Sequence, residues 1–536
     1  MKYVAIKLWN YIEGINGLLL IVYSIFIFST AVITSEHFSI YYLSVALLIM
    51  VTLSIIICPI VIRRLSKLNI QNDKLNNENG KANLIFIRIL FFVIPLFFFL
   101  IYYFAYYPGG FSNDSISQYT QAINDSYNDW HPVIQTLLAF KLPLTLTGGW
   151  IGSITLFQII CFSAVLSYSF NTILKQTNLK YTIISMSFVL FNPQLGYIAM
   201  YPWKDVSFSI GALLLITYAL QICVTKGKWI KSPVNTVLFI ITTVLTTLFR
   251  HNAVFFTIPL IFAVLFYLTK KRGLIVCLSI IGLFIVIKMP LYSVINVENP
   301  GNRQVETLGL PMNIIGAVVT YKPETLDNET REFAYKIAPK EVWEEKYKFG
   351  SYNDVKWDDK TNNDVIEEYG SSKVISMMLR CFKNSKGVAL TSLIKLTEAS
   401  YTVSDKYNSI IRPGVETNEF NIAQGGNDRI KELLKGYSDF VSESFPHLFM
   451  YLGVMHLILI ASILSKYKLN KLRDWKKMLF ILPIFVYNYG TTFLLTGIDD
   501  TTRFFYYTFL LIPTLLVFLF SKTQTSPYKS AKEKCK

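Results

Sequence analysis

Residues 84–104 read LIFIRILFFVIPLFFFLIYYF, twenty-one positions with a single charge, Arg88. As a helix the stretch is about 30 Å long, the thickness of a hydrocarbon core. Hydrocarbon holds no water to pair with backbone groups, so such a segment must be helical there. The same texture recurs in both directions. It gives twelve predicted spans: 17–34, 40–62, 84–104, 150–173, 181–200, 206–224, 233–249, 253–269, 273–289, 447–465, 478–496 and 504–521. Of the 536 residues, 52% are hydrophobic and 16% charged, where a soluble domain carries about 25% charged residues. The expected fold is an all-α polytopic membrane protein with about twelve transmembrane helices.

The net charge is +16, which by itself suits either nucleic acid or a membrane surface. Its distribution decides. With the N-terminus inside and the spans alternating, the inner segments hold Lys2 and Lys7, the group Arg63 to Lys81, Lys175 and Lys180, Lys226 to Lys231, Lys270 to Arg272, the run Lys466 to Lys477 and a tail ending at Lys536. The short outer loops hold only Lys204, Arg250 and Arg503. Positive charge collects on the cytoplasmic side, so both termini are expected there. No nucleic-acid motif accompanies the basic excess. The first apolar run is span-length and lacks a small-residue cleavage site, so it reads as a retained span. Of six cysteines only Cys381 falls in the large outer segment, which leaves that segment no internal disulfide. Richness in Ile, Lys and Asn points to an AT-rich bacterial genome.

Four segments follow from this pattern. Residues 1–83 form a two-helix addition and a polar cytoplasmic linker. Residues 84–289 hold seven spans, with two juxtamembrane helices at 112–146 broken at His131-Pro132. Residues 290–446 form a mainly helical outer domain. Residues 447–536 supply three more spans and the basic tail.

Ionisable groups at a membrane face are costly and tend to be functional. Five stretches qualify. In Tyr107-Pro-Gly-Gly-Phe-Ser-Asn-Asp114, Asp114 is placed to act as a general base or metal ligand, or else to cap a helix beside Ser112 and Asn113. In Asn128-Asp-Trp-His-Pro132, His131 suits proton transfer or phosphate binding, while Asp129 and Trp130 equally suit a turn and an interfacial anchor. Trp203-Lys204-Asp205 offers a phosphate-binding cation with a second carboxylate, or a plain ion pair. Phe249-Arg-His-Asn252 places Arg250 and His251 in a tight outer turn. There Arg250 opposes the charge rule and suits bidentate phosphate binding. Arg503, in Gly497-Ile-Asp-Asp-Thr-Thr-Arg503, either pairs with Asp499 and Asp500 or completes a cationic pocket.

Taken together the arrangement resembles the GT-C superfamily of integral-membrane glycosyltransferases. Asp114 matches the acidic residue of that superfamily's first outer loop, and Asp205 matches its second acidic motif. The Pro-Gly-Gly-x-x-x-Asp, Trp-His-Pro, Lys-Asp and Arg-Phe-Phe-Tyr stretches look more closely like an uncharacterised family of bacterial polytopic proteins near GT-C enzymes. The likeness covers about 84–520 and implies a GT-C-like seven-helix core over 84–289; the first loop lacks the paired acidic residues of some members.

The resemblance implies transfer of a sugar from a polyprenyl-phosphate carrier to an envelope glycan, lipid or protein on the outer face of the cell membrane. Asp114, Asp205 and His131 would serve catalysis. Lys204, Arg250, His251 and Arg503 would bind the donor phosphate. Asp114 and Asp205 would hold a divalent ion, Mg or Mn, if one is used. Two rival readings stay open at this stage. A polysaccharide polymerase or ligase would use a glycan on lipid pyrophosphate. A transporter or flippase predicts charges inside the spans, which are charge-poor apart from Arg88 and Lys288 near their edges.

Overall fold

The computed structural model describes residues 78–301, 304–401, 410–470, 475–495, 497 and 501–520. The first two predicted spans, Asp499, Asp500 and the basic tail lie outside these residues. Among the described residues the chain is helical, without strands beyond isolated bridges. Five helices are long and apolar enough to cross a membrane: α1 (84–105 of Glu78–Ala105), α4 (Gly152–Gln176), α7 (Lys204–Val224), α10 (Lys270–Val294) and α18 (502–520 of Thr501–Phe520). Shorter apolar helices stand where other spans are predicted: α5 (Leu179–Leu190), α8 (Pro233–Leu248), α9 (Val254–Leu265) and α16 (Leu452–Asn470, apolar over Leu452–Ile463); α17 (Leu482–Leu494) stands at the 478–496 stretch.

One core joins these helices. α7 and α18 lie at its centre, with 78% and 83% of their apolar windows buried, whereas α1 and α10 are peripheral, with 17% and 11% buried. α7 packs on α4, α8 and α18, α1 packs on α4, and α9 packs on α17. Aromatic rings fill the centre: Phe208 stacks on Tyr487 with centroids 4.5 Å apart, and Tyr487 meets Tyr507 edge-on at 4.9 Å.

Three departures from the predicted segments matter for the site. The 181–200 stretch is two helices. α5 ends before Asn192, because the residue before a proline is pushed out of helical geometry. Asn192 then caps α6 (Pro193–Ile198) by accepting from the Gln194 amide at 3.0 Å. α7 begins at Lys204 and α18 at Thr501, so Lys204, Asp205 and Arg503 sit in first helical turns rather than in loops. The outer segment 290–446 is divided. Val305 to Ala389 builds a second core from α11 (Gly309–Tyr321), α12 (Asn328–Ile337), α13 (Ser371–Asn384) and α14 (Lys386–Thr397) around Trp343 and Tyr352. Residues 410–427 and α15 (Asp428–Ser444) instead return to the main core through Ile410, Ile411, Ile430 and Leu434.

The juxtamembrane pair comprises α2 (Asn113–Asn124) and α3 (Val133–Leu146), the latter with a π-helical turn at Leu137–Lys141. The Gln118 amide donates to Gln135 and to Thr136 Oγ1 at 2.8 Å, and Gln135 donates to the Pro202 carbonyl at 3.2 Å. This buried amide chain locks both helices to the segment leading into α7.

Candidate functional site

Asp114 and Asp205 each lie in the first turn of a helix, where the unpaired N–H groups favour an anion. Ser112 occupies the N-cap position of α2 but makes no side-chain cap; its Oγ accepts from Trp203 Nε1 at 2.8 Å. Asp114 stands inside the first turn, past the cap position, and its Oδ2 pairs with Arg503 Nη2 and lies 3.8 Å from Lys204 Nζ. Asp205, only 1% exposed, pairs with Arg250 Nη1 through Oδ1 and with Arg503 Nε at 2.8 Å through Oδ2. Arg503 thus bridges the two carboxylates. Lys204 and Arg503 are cations at helix N-termini, an unfavourable place for them. The two carboxylates offset that cost.

Aromatic faces complete the cluster. The Arg503 guanidinium lies 4.3 Å from the Trp203 ring centroid, and Arg250 lies 4.7 Å from that of Phe504. Trp203 is stacked on Tyr201 at 3.9 Å. Such stacking suits a guanidinium better than an ammonium and holds its plane. Arg250 Nε also donates to Asn252 Oδ1 at 2.6 Å, and Asn252 donates to Thr491 Oγ1 at 2.8 Å. Three cations face two carboxylates, which leaves one positive charge.

Lys204 Nζ lies 3.3 Å from His131 Nδ1. An ammonium can only donate, so Nδ1 accepts and the His131 proton sits on Nε2. Burial pushes the imidazole down to about 3, helped by Lys204, Arg503 and His251, so it is neutral. For Asp114, burial pushes the carboxyl up, but Lys204 and Arg503 outweigh it and hold the group well below the usual carboxylate range. His251 is exposed in the turn His251–Ala253, at the rim beside Arg250. Asp129 pairs with Lys288 and accepts from Tyr292 Oη at 3.2 Å, which ties the His131 loop to the end of α10.

Asp114, Asp205, His131, Lys204, Arg250 and Arg503 therefore meet at one end of the bundle, with His251 at its edge. The rings that hold the arginines are Trp203, Phe504 and Tyr487; the first two stand in the Trp-Lys-Asp and Arg-Phe-Phe-Tyr stretches, and nothing in the sequence marks Tyr487. The signal for the first two is adjacency, since Trp203 precedes Lys204 and Phe504 follows Arg503. Asp499 and Asp500, the alternative partners of Arg503, lie outside the described residues.

The two expected metal ligands are already engaged. Both Asp205 oxygens and Asp114 Oδ2 face cationic nitrogens, and among the described residues no three His, Cys, Asp or Glu side chains are grouped to hold a metal ion. A hard cation needs several open oxygens, so this donor set does not fit one as arranged.

Close approach builds the loop before α2. Gly109 has φ +129°, and a Cβ there would stand 2.2 Å from Thr155 Oγ1 and 2.8 Å from the Met200 carbonyl. Residues 410–427 lie over this loop as a strap. Phe111 N donates to the Gly414 carbonyl at 2.8 Å, Glu416 N to the Phe111 carbonyl at 2.8 Å, and Tyr201 Oη to the Arg412 carbonyl at 2.9 Å. A narrow cleft adjoins the cluster at Thr502, next to Arg503, with Gln194, Phe449, Leu452, Phe505 and Phe509 among its walls. An apolar cleft lined by Phe188, Val189 and Leu510 shares Asn192, Tyr506 and Phe509 with it, between α5 and α18. Comparison with family models, with curated proteins and with solved structures gives no match to this chain.

Proposed function

We propose that this chain is a GT-C-type glycosyltransferase of a bacterial cell membrane, with about twelve spans and both termini cytoplasmic. It moves a sugar from a polyprenyl-phosphate carrier to an envelope glycan, lipid or protein on the outer face. The observation that carries the reading is the meeting of two carboxylates with three cations in a net-positive cluster, beside an apolar cleft.

The chemistry follows from the charges. The acceptor hydroxyl oxygen attacks the anomeric carbon. The bond from that carbon to the phosphate oxygen breaks, and its electron pair leaves with the polyprenyl phosphate. Lys204, Arg250 and Arg503 stabilise that charge as it develops. The isoprenoid chain lies in the cleft between α5 and α18. Attack opposite the leaving group inverts the anomeric carbon.

The hydroxyl proton goes to Asp114. In the resting protein Asp114 is a poor base, because Arg503 and Lys204 hold its pKa down. An arriving phosphate competes for the same two cations. As it takes them, the Asp114 carboxyl rises toward its ordinary range and gains basicity. Asp205, enclosed by Arg250 and Arg503, orients the guanidinium groups. Neutral His131 accepts from Lys204 and fixes the direction of its ammonium.

Lys204→Gln removes one phosphate-binding charge worth a charge-assisted hydrogen bond, so the donor concentration for half-maximal transfer should rise about tenfold or more. Acceptor dependence should stay unchanged. Equal shifts for donor and acceptor would assign Lys204 to general stability instead.

A further inference from the structure

Helix α15 belongs by sequence to the outer segment, yet its exposed surface is split in a way that water alone does not explain. At 100° per residue its 17 positions fall on three faces. Ile430, Leu434, Ser438 and Val441 face the protein core. Lys431, Glu432, Lys435, Asp439 and Glu443 form a charged flank. The opposite flank carries Arg429 in its first turn and then Leu433 and Phe440, seven residues apart and 69% and 60% exposed. Tyr437 lies between them, and its hydroxyl donates to the Phe191 carbonyl at 2.7 Å.

Both ends of α15 are fixed to apolar helices, the first of them long enough to cross a membrane. Asn427 N donates to the Phe104 carbonyl at the end of α1, at 3.0 Å. Gly426 lies so close to α1 that a Cβ would stand 2.1 Å from the Ala105 carbonyl. At the other end, Phe445 and Leu448, both exposed, lead into α16. The apolar flank therefore continues the exposed apolar surface of α1 and α5, where Phe97, Phe104 and Phe191 are each more than half exposed. A soluble protein leaves few such contiguous patches uncovered.

We propose that α15 is an interfacial helix, seated in the membrane surface at the site's end of the bundle, with Leu433, Phe440 and Phe445 among the lipid chains and the charged flank in water. Such helices bury their apolar side about 5–10 Å into the headgroup and acyl boundary. The helix carries four carboxylates, Asp428, Glu432, Asp439 and Glu443, against Arg429, Lys431 and Lys435. Its partner is the apolar layer of the bilayer, not an anionic headgroup. Anchoring α15 also holds the preceding strap, 410–427, over the loop that carries Asp114.

The test uses the full chain in phosphatidylcholine vesicles. Three single variants, Leu433→Cys, Phe440→Cys and Lys435→Cys, are alkylated with a water-soluble maleimide and read peptide by peptide. The thiolate needs water to react, so the first two should react about tenfold more slowly than Lys435→Cys, on the same helix. In parallel, the fluorescence that Phe440→Trp adds to the parent chain should be quenched by lipid brominated in its acyl chains. Equal alkylation at all three positions overturns the proposal. Protection without lipid quenching also overturns it, since a protein surface would then cover the flank. A misfolded variant reveals itself by rapid labelling of the normally buried Cys381.

Discussion

Replacing Asp205 by Asn removes one negative charge from the most enclosed part of the cluster while keeping its shape. Arg503 retains Asp114. Arg250 retains only the Asn252 side chain and the rings of Phe504 and Tyr487, and it is 7% exposed. Breaking a buried ion pair by deleting one partner costs about 3–5 kcal/mol. The asparagine carbonyl still accepts one hydrogen bond, which offsets about 1 kcal/mol. A loss of about 2–4 kcal/mol is therefore expected. Arg250→Met in the same chain removes the stranded guanidinium, so the double variant should be more stable than the sum of the single losses by about 2 kcal/mol. Unfolding by sodium dodecyl sulfate in mixed micelles, followed by far-ultraviolet circular dichroism, reads all four members of the cycle. Additivity within about 0.5 kcal/mol would refute the reasoning, because the pair would then not act as one buried unit.

Gly109→Ala should destabilise the protein by about 2 kcal/mol or more, from the positive φ and the 2.2 Å and 2.8 Å approaches. Adding Thr155→Gly should not restore it, because the Met200 carbonyl remains; full recovery in the same unfolding assay would contradict this. His131, with its folded value down at about 3, stays neutral where the unfolded chain protonates it below about 6.5. The unfolded state binds more protons across that window, so stability falls as pH drops through it. His131→Gln should show a shallower loss, read from unfolding midpoints at several pH values, and an unchanged slope would count against it. The Gln194 side-chain amide is buried with neither atom hydrogen-bonded within the protein. Gln194→Leu should therefore leave stability unchanged or raise it by about 1 kcal/mol, whereas a drop above about 1 kcal/mol would reveal a partner.

Much of the site was legible because the charge rule that orients spans also isolates the residues that break it. Lys204, Arg250 and Arg503 stand out against charge-poor surroundings, and Asp114 and Asp205 follow from proximity to helix starts. Their mutual pairing was not legible. Nothing in the sequence tells Arg503 to choose Asp114 and Asp205, which are separated from it by 389 and 298 positions. Trp203 and Phe504 stand in the Trp-Lys-Asp and Arg-Phe-Phe-Tyr stretches, but their stacking on guanidinium groups was hidden because aromatic residues are common throughout an apolar chain. The 181–200 stretch read as one span because hydropathy averages over Asn192-Pro193, where local backbone chemistry ends the helix. The outer segment read as one domain because composition marks α15 as polar. The three-sided split of that helix, with Leu434 inward and Leu433 outward, appears only once its packing is known.

The most direct test of the central claim measures polyprenyl phosphate released from a panel of polyprenyl-phosphate sugars by the purified chain in vesicles, for the parent and for Asp114→Asn. Release coupled to sugar transfer by the parent, and its loss in a folded Asp114→Asn variant that still binds the donor, is the predicted result. Undiminished transfer by Asp114→Asn would contradict the account.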